Sequence, residues 1–307
     1  MLQIATVVIE PLAPFDLELS SLVFTEGDRK VRSFQNGCFS QVIDVGGRLV
    51  WAKLTSKGCV DNPKLILELQ TEGVCFSDIE KQQAVDVFSH IFSLNMSLEP
   101  FYSHVNGDSV MAQLSRELRG LKFPTAPTVF ESLIDAIVEQ QISIKVARSI
   151  EDRLAVMFGE SIVVCGERFF AFPSADALFA AGVERIRQAG LSLRKAEYIY
   201  GVAKLIVDGD LNLELLKEWD SKDIVVVLDN IRGVGVWTAE LTMLRGMHRF
   251  DVLPADDFGL LRVISHYYCG GRKITAVEAR DIAEAWGMWK GLAAFYLIAA
   301  EVKRVVC

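Results

Sequence analysis

Four groups of residues in this 307-residue chain have types and spacings that suit chemistry. The first is Asp256-Asp257, within F-D-V-L-P-A-D-D-F-G-L-L-R-V-I at 250–264. Pro254 ends what precedes it, and the Asp pair opens a helix. Asp at a helix start commonly accepts hydrogen bonds from first-turn N–H groups. The position also suits a functional carboxylate facing a cleft, because the positive helix end holds it ionised. A fixed anion serves a reaction in which positive charge develops. Local sequence leaves both readings open.

The second group is D-I-V-V-V-L-D-N-I-R-G-V-G-V-W-T-A-E-L-T-M-L at 223–244. It reads as a helix, a tight turn with Gly233 and Gly235 flanking Val234, and a second helix. Glycines admit positive φ and let another backbone come close. They leave N–H groups bare at the start of the second helix, where phosphate is attracted. Such a hairpin holds a DNA backbone without reading sequence. The bland alternative is a plain helix connection. Apolar residues at Leu228, Ile231, Val234, Ala239 and Leu244 argue for a built hairpin.

The third is Glu139-Gln140-Gln141, polar residues in an otherwise apolar run. They either satisfy loose backbone groups at a helix junction or enter a partner's base stack. The fourth is aromatic: Trp237 after the hairpin, Phe258 after the Asp pair, and Trp286 and Trp289 near the C-terminus. Aromatic rings sandwich a flat ring, more strongly when it is cationic. Each is also an ordinary core residue.

The elements that must position these groups fall into two textures. The first ~100 residues are β-rich. F-S-Q-V-I-D-V and R-L-V-W-A-K-L-T flank Gly46-Gly47, a hairpin signal. K-L-I-L-E-L-Q is a third strand candidate, and 78–94 reads as a helix. From Asp108 the pattern becomes helical throughout. Asp108 caps V-M-A-Q-L-S-R-E-L-R-G-L; K-F-P-T-A-P-T is a proline loop; Thr128 and Glu131 form a capping box. Helices follow at 143–158, 175–181, 183–189, 193–207, 212–218, 222–229, 237–246, 257–268 and 276–286, with G-L-A-A-F-Y-L-I-A-A-E-V-K-R-V as a final buried helix. The expected class is α+β: an N-terminal antiparallel sheet domain with helices over 1–105, then an all-α region over 106–307. The latter divides into subdomains 125–245 and 106–124 plus 246–307.

Composition narrows the function classes. At 51% hydrophobic and 23% charged, the chain is globular rather than disordered. No apolar run is long enough for a membrane span, and the N-terminus has no basic segment of the secretory kind. Taken whole, the net charge of −8 argues against a nucleic-acid binder, which usually shows a basic footprint. The acidity is uneven, however. Residues 1–110 carry 8 Lys/Arg against 14 Asp/Glu; residues 111–307 carry 24 against 26. The six cysteines, Cys38, Cys59, Cys75, Cys165, Cys269 and Cys307, form no C-x-x-C. They are expected reduced, with no iron–sulfur cluster. His90, His104, His248 and His266 lack metal-ligand spacing.

I-R-G-V-G-V-W-T-A at 231–239 with L-P-A-D-D-F-G-L-L-R at 253–262 resembles the helix-hairpin-helix (HhH-GPD) DNA glycosylase superfamily, in particular the 3-methyladenine DNA glycosylase II type. A-I-V-E-Q-Q-I-S at 136–143, G-L-S-L-R-K-A-E-Y-I at 190–199 and P-F-D-L-E-L at 14–19 extend the resemblance along nearly the whole chain. It implies a TBP-like N-terminal domain and a base excision repair enzyme that hydrolyses the N-glycosidic bond of flipped-out alkylated purines in duplex DNA. Asp257, 22 residues past Gly235, matches the catalytic carboxylate. Trp237 stands where bifunctional members place a nucleophilic lysine, which implies no Schiff-base lyase activity. Trp237, Phe258 and Trp289 match the base pocket, and Gln141 the wedge that fills the vacated stack. Ile231, Arg232, Gly233, Val234 and Gly235 match the phosphate-binding hairpin. The backbone carbonyls of Asp229, Ile231 and Gly233 match the ligands of a structural Na+ or K+; no cofactor is required. The resemblance further implies a monomer acting on damaged double-stranded DNA in the nucleoid-bearing cytoplasm or the nucleus, with no membrane partner. Two departures stand out: Arg232 where the hairpin commonly has Pro, and Leu241 in place of a pocket aromatic. The alternatives are an 8-oxoguanine-type glycosylase, which carries the lysine missing here, and a non-catalytic DNA-damage binder, which needs no Asp257.

Overall fold

The structure, a computed structural model, describes residues 2–22 and 31–305; Cys307 lies outside them. The chain begins with β1 (Leu2–Ile9), α1 (Leu17–Ser20), β2 (Arg32–Gln35), β3 (Cys38–Val45), β4 (Arg48–Ser56), β5 (Leu65–Glu72) and α2 (Asp78–Ile91). The strands form one antiparallel sheet in the order β1-β5-β4-β3-β2. Gly46 and Gly47 have φ of 63° and 82°, so both central turn residues are left-handed, as a tight hairpin between β3 and β4 requires. Ser77 and Glu80 cap α2 reciprocally. Its Ala84, Phe88 and Ile91 lie on the sheet. Phe39 from β3 meets Phe88 and Phe92 edge-on, with centroids 6.1 and 4.9 Å apart. Burial of each such ring contributes about 1.5–3 kcal/mol.

The rest is mostly helical: α3 (Glu99–Val105), α4 (Ser109–Glu117), α5 (Val129–Glu139), α6 (Ile144–Phe158), α7 (Ala175–Arg187), α8 (Leu193–Val207), α9 (Ser221–Asp229), α10 (Val236–Met247), α11 (Phe258–Tyr268), α12 (Ala276–Ala283) and α13 (Lys290–Lys303). Short 3-10 segments occupy Glu214–Glu218 and Glu284–Trp289. Asp108 caps α4 through the N–H groups of Val110 and Met111. Gly182, at φ 73°, breaks α7 into the two pieces expected. Helices α5 and α10 pack as the central pair of the larger core, with Leu133, Ile134, Ile137, Ala239 and Met243 fully buried. Among the described residues no helix is long and apolar enough to cross a membrane.

Two observations correct the expectations, and one adds to them. The region from 106 is not all-α: β6 (Ser161–Val164) and β7 (Glu167–Phe170) form a hairpin between α6 and α7. Ile162, Val164 and Phe169 lie on Val42 and Trp51, covering the sheet face opposite α2. Four-residue strands leave too short a pattern to read locally; their partner surface is over 100 residues away. The proline loop K-F-P-T-A-P is present as a loop, and residues 121–126 are buried along the seam between sheet and helices. Thr128 caps α5 through Glu131 N–H, but the Glu131 side chain does not complete the box. It instead pairs with buried Arg32 from β2.

Candidate functional site

The hairpin comes first. Ile224 and Leu228 anchor α9, and Val234 plugs the turn between α9 and α10. Gly233 has φ 90°, and a Cβ there would lie 2.1 Å from Cγ of the Tyr198 ring. Only glycine fits both the conformation and the contact. Tyr198 and its neighbour Glu197 hold the turn from α8: the Arg232 guanidinium lies 5.8 Å from the Tyr198 ring centroid and 2.9 Å from the Glu197 carboxylate. Gly235 is the N-cap of α10, and no side chain caps that helix. Nothing lies within 4 Å of where its Cβ would stand. The first N–H groups of α10 are therefore left to water or to an approaching anion.

The carboxylate comes next. Asp257 is the N-cap of α11, and its Oδ1 accepts from Leu260 N–H at 2.8 Å. Capping is thus real, yet the residue is only half-buried, and Oδ2 takes no hydrogen bond from the described residues. The two sequence readings are compatible, one per oxygen. Gly259 keeps the space clear: a Cβ there would stand 3.0 Å from Oδ1. The approach to Asp257 is rigid. Leu253, Pro254 and Ala255 are buried, and Asp257 N–H donates to Pro254 carbonyl at 3.0 Å. Arg280 from α12 braces this segment. It donates to the Leu253 carbonyl at 2.9 Å and to both oxygens of Glu240 on α10 at 2.9 and 3.0 Å. Burial pushes the Glu240 carboxyl up in pKa, and Arg280 draws it back. Asp256, the exposed member of the pair, lies 3.9 Å from Arg280.

The aromatic residues divide. Trp237, in the first turn of α10, is half-buried, and its Nε1 is buried without a partner among the described residues. Phe258 is 87% exposed. It therefore does not form a preformed pocket wall: it is the first residue of α11, and that helix turns Leu260, Val263 and Ile264 inward instead. Trp289 is half-buried in a pile of core rings, its centroid 5.9 Å from Phe101 and 6.4 Å from Phe250. Trp286 is wholly buried and donates to Asp108 at 3.3 Å. A cavity of about 370 Å³ opens nearby, lined by Lys222, Glu240, Asp251, Leu253, Arg280 and Lys290. None of Asp257, Trp237, Phe258 or Trp289 lines it.

The polar triplet also divides its duties. Glu139 accepts from Arg245 of α10 at 2.7 and 2.8 Å. Gln140 donates to the Gly233 carbonyl and to Thr238 Oγ1. Gln141 is exposed, with φ 57°. So Gln140 satisfies backbone groups, while Gln141 is presented outward. Of the carbonyls expected to hold a cation, Gly233 already accepts from Gln140 and Ile231 from Val234 N–H at 2.9 Å. Each oxygen keeps a second lone pair. Of the bracing residues, Gln140, Gly259 and Tyr198 lie in the strings E-Q-Q, D-D-F-G and K-A-E-Y without their bracing contacts being readable there, and Arg280 lies in none.

Comparison with known proteins gives the family and the fold. Residues 134–288 match the model of the HhH-GPD superfamily base excision DNA repair proteins. A DNA-3-methyladenine glycosylase of Bacillus subtilis is 28% identical over 263 residues, 86% of each chain. The solved 3-methyladenine DNA glycosylase of Archaeoglobus fulgidus superposes with a TM-score of 0.85 at 29% identity, covering 98% of this chain and 100% of its own. The 8-oxoguanine glycosylase/lyase of Clostridium acetobutylicum, solved with double-stranded DNA, shares the fold at a TM-score of 0.76 and 18% identity, covering 99% of each.

Proposed function

The chain belongs to the HhH-GPD superfamily of base excision DNA repair proteins, and from that premise we propose that it is a monofunctional DNA glycosylase releasing alkylated purines from duplex DNA. The observation that carries this reading is Asp257. Its carboxylate is fixed through one oxygen, open at the other, and held beyond a glycine hairpin whose second helix starts uncapped. The names of the Bacillus and Archaeoglobus relatives support 3-methyladenine-like substrates.

The steps follow from the chemistry of these groups. Bare N–H groups at Val236 and Trp237, with Arg232 beside them, take a phosphate of the damaged strand. A base inside the stack is unreachable, so it swings out at a cost of a few kcal/mol, least for a weakened pair. Gln141 fills the gap. Trp237 stacks on the extruded ring, and Phe258, exposed in the free protein, closes over it once DNA is bound; Trp289 supports the wall from behind. Alkylation at a ring nitrogen makes the purine cationic, and cation–π attraction favours it by about 1–2 kcal/mol. The C1′–N bond breaks with its electron pair going to the base, which leaves neutral. The positive charge left on the sugar faces Asp257. Water then adds to C1′ and gives up a proton, leaving an intact abasic site. Trp237 has no amine, so a Schiff base has no nucleophile at that position. The same reading takes the protein as an intracellular monomer needing no cofactor, with Na+ or K+ at the carbonyls of Asp229, Ile231 and Gly233.

Incubation with duplex carrying one N-alkylpurine, then hot alkali, tests the proposal. Strand scission at the lesion is expected only after alkali, and borohydride is expected to trap no adduct. Scission without alkali, or a trapped adduct, refutes the monofunctional reading; no scission at all refutes the glycosylase.

A further inference from the structure

Gln141 leaves α5 in a left-handed conformation on a short loop before α6, flanked by exposed Ile142 and Ile144. A loop of that kind would be mobile unless something held it. Two residues do. Lys195 of α8 donates through Nζ to the carbonyls of Val138 and Gln140, at 2.8 and 2.6 Å, closing the open C-terminal end of α5. Gln140 uses one amide nitrogen twice: Nε2 donates to the Gly233 carbonyl at 2.9 Å and to Thr238 Oγ1 at 3.0 Å. Gly233 belongs to the phosphate-gripping turn, and Thr238 to the turn of helix that carries Trp237.

We propose that Gln140 is a positioning residue that locks the loop bearing Gln141 to the glycine turn, so that the grip on the strand sets where the wedge stands. This rests on the reading of Gln141 as the wedge given above. The geometry has three supports within one turn of α8: Lys195 holds the end of α5, Glu197 pairs with Arg232, and the Tyr198 ring lies under Gly233. The two DNA-facing loops therefore share one floor, and Gln140 is the direct hydrogen-bonded tie between them. Both its amide hydrogens are used, so neither acid nor hydrocarbon replaces it.

The test compares two duplexes with one N-alkylpurine each: one normally paired, one with the lesion facing an abasic site, where the stack is already open. Single-turnover base release by Gln140→Glu should fall roughly tenfold or more on the paired duplex, the worth of two lost hydrogen bonds. On the opened duplex it should fall less than about threefold, because little insertion is needed there. Gln141→Ala should show the same selectivity, and adding Gln140→Glu to it should cost nothing further. Equal losses on the two duplexes, or additive losses in the double variant, overturn the proposal. If circular dichroism shows Gln140→Glu unfolded, Thr238→Val, which removes one acceptor, takes its place: a loss confined to the paired duplex supports the tie, and equal losses overturn it. Wild-type protein inactive on both duplexes would sink the functional reading, and this inference with it.

Discussion

The seam between sheet and helices and the edge that carries the glycine turn and Asp257 treat polar groups differently. In the seam, charge is buried and occupied. Arg32 pairs with Glu131, and Lys122, wholly buried, donates to the carbonyls of Leu12 and Leu94 at 2.8 and 3.0 Å. His90 and His248 face each other with ring centroids 4.6 Å apart, held neutral by burial. At the edge, polar capacity is left over. The α10 N–H groups are uncapped, Asp257 has a spare oxygen, and Trp237 has an unpartnered N–H. The difference separates two uses of the same chemistry. In the seam, paired charges specify how the two layers meet, although Nε2 of His90 and of His248 is buried without a partner among the described residues; at the edge, the unpaired groups lie on partly exposed residues that a ligand can reach.

The largest test of that contrast is Asp257→Asn. Asn caps helices about as well as Asp, so the melting temperature should move by no more than about 2 °C. Base release should drop about 10²- to 10³-fold, the usual worth of one group stabilising transition-state charge, while duplex affinity stays unchanged. Retained turnover would break the contrast at its centre. Next comes acid. His90 titrates at about 4 and His248 at about 3 in the folded protein, against about 6.5 when unfolded. Their folded values are depressed, so the unfolded chain binds more protons below pH 6.5. Stability should therefore be full above pH 6.5 and decline towards pH 4 by roughly 3 kcal/mol for each histidine. Urea melts at pH 7.5, 5.5 and 4.5 measure this; the doubly substituted His90→Gln, His248→Gln protein should show a shallower slope, and an equal slope would mean that the seam does not set the acid response. The smallest effect, and the sharpest, is Gly235→Asp. Gly235 already has extended backbone angles and open space at Cβ, so Asp can cap α10 as Asp257 caps α11. Stability should rise by about 0.3 kcal/mol, while duplex affinity falls about tenfold as a carboxylate meets the phosphate. A gain in both would show that the uncapped end plays no part in binding.

Legibility from sequence follows the range of the contacts. The glycine turn, the Asp108 and Thr128 caps, the Gly46-Gly47 hairpin and the break at Gly182 are local, and each is readable from a few neighbours. Asp257 is legible as a cap and, through the family resemblance, as a candidate carboxylate. What escapes depends on partners far along the chain. Glu131 looks like a capping-box residue because nothing nearby announces Arg32. Gln140 and Gln141 are one dipeptide, yet a contact 93 residues away assigns them different tasks. The exposure of Phe258 follows from which face of α11 meets the core, a matter of packing. Arg280 has no local signal, because its contacts to Leu253 and Glu240 lie 27 and 40 residues away.

The small β6–β7 hairpin has a practical consequence for protein engineering. It is encoded within the helical two-thirds but serves as the back cover of the sheet. A truncation that removes residues 2–72 would strip Ile162, Val164 and Phe169 of their shelter and invite clumping. Exchanging the front portion with that of a cousin would demand that residues 161–170 travel with it.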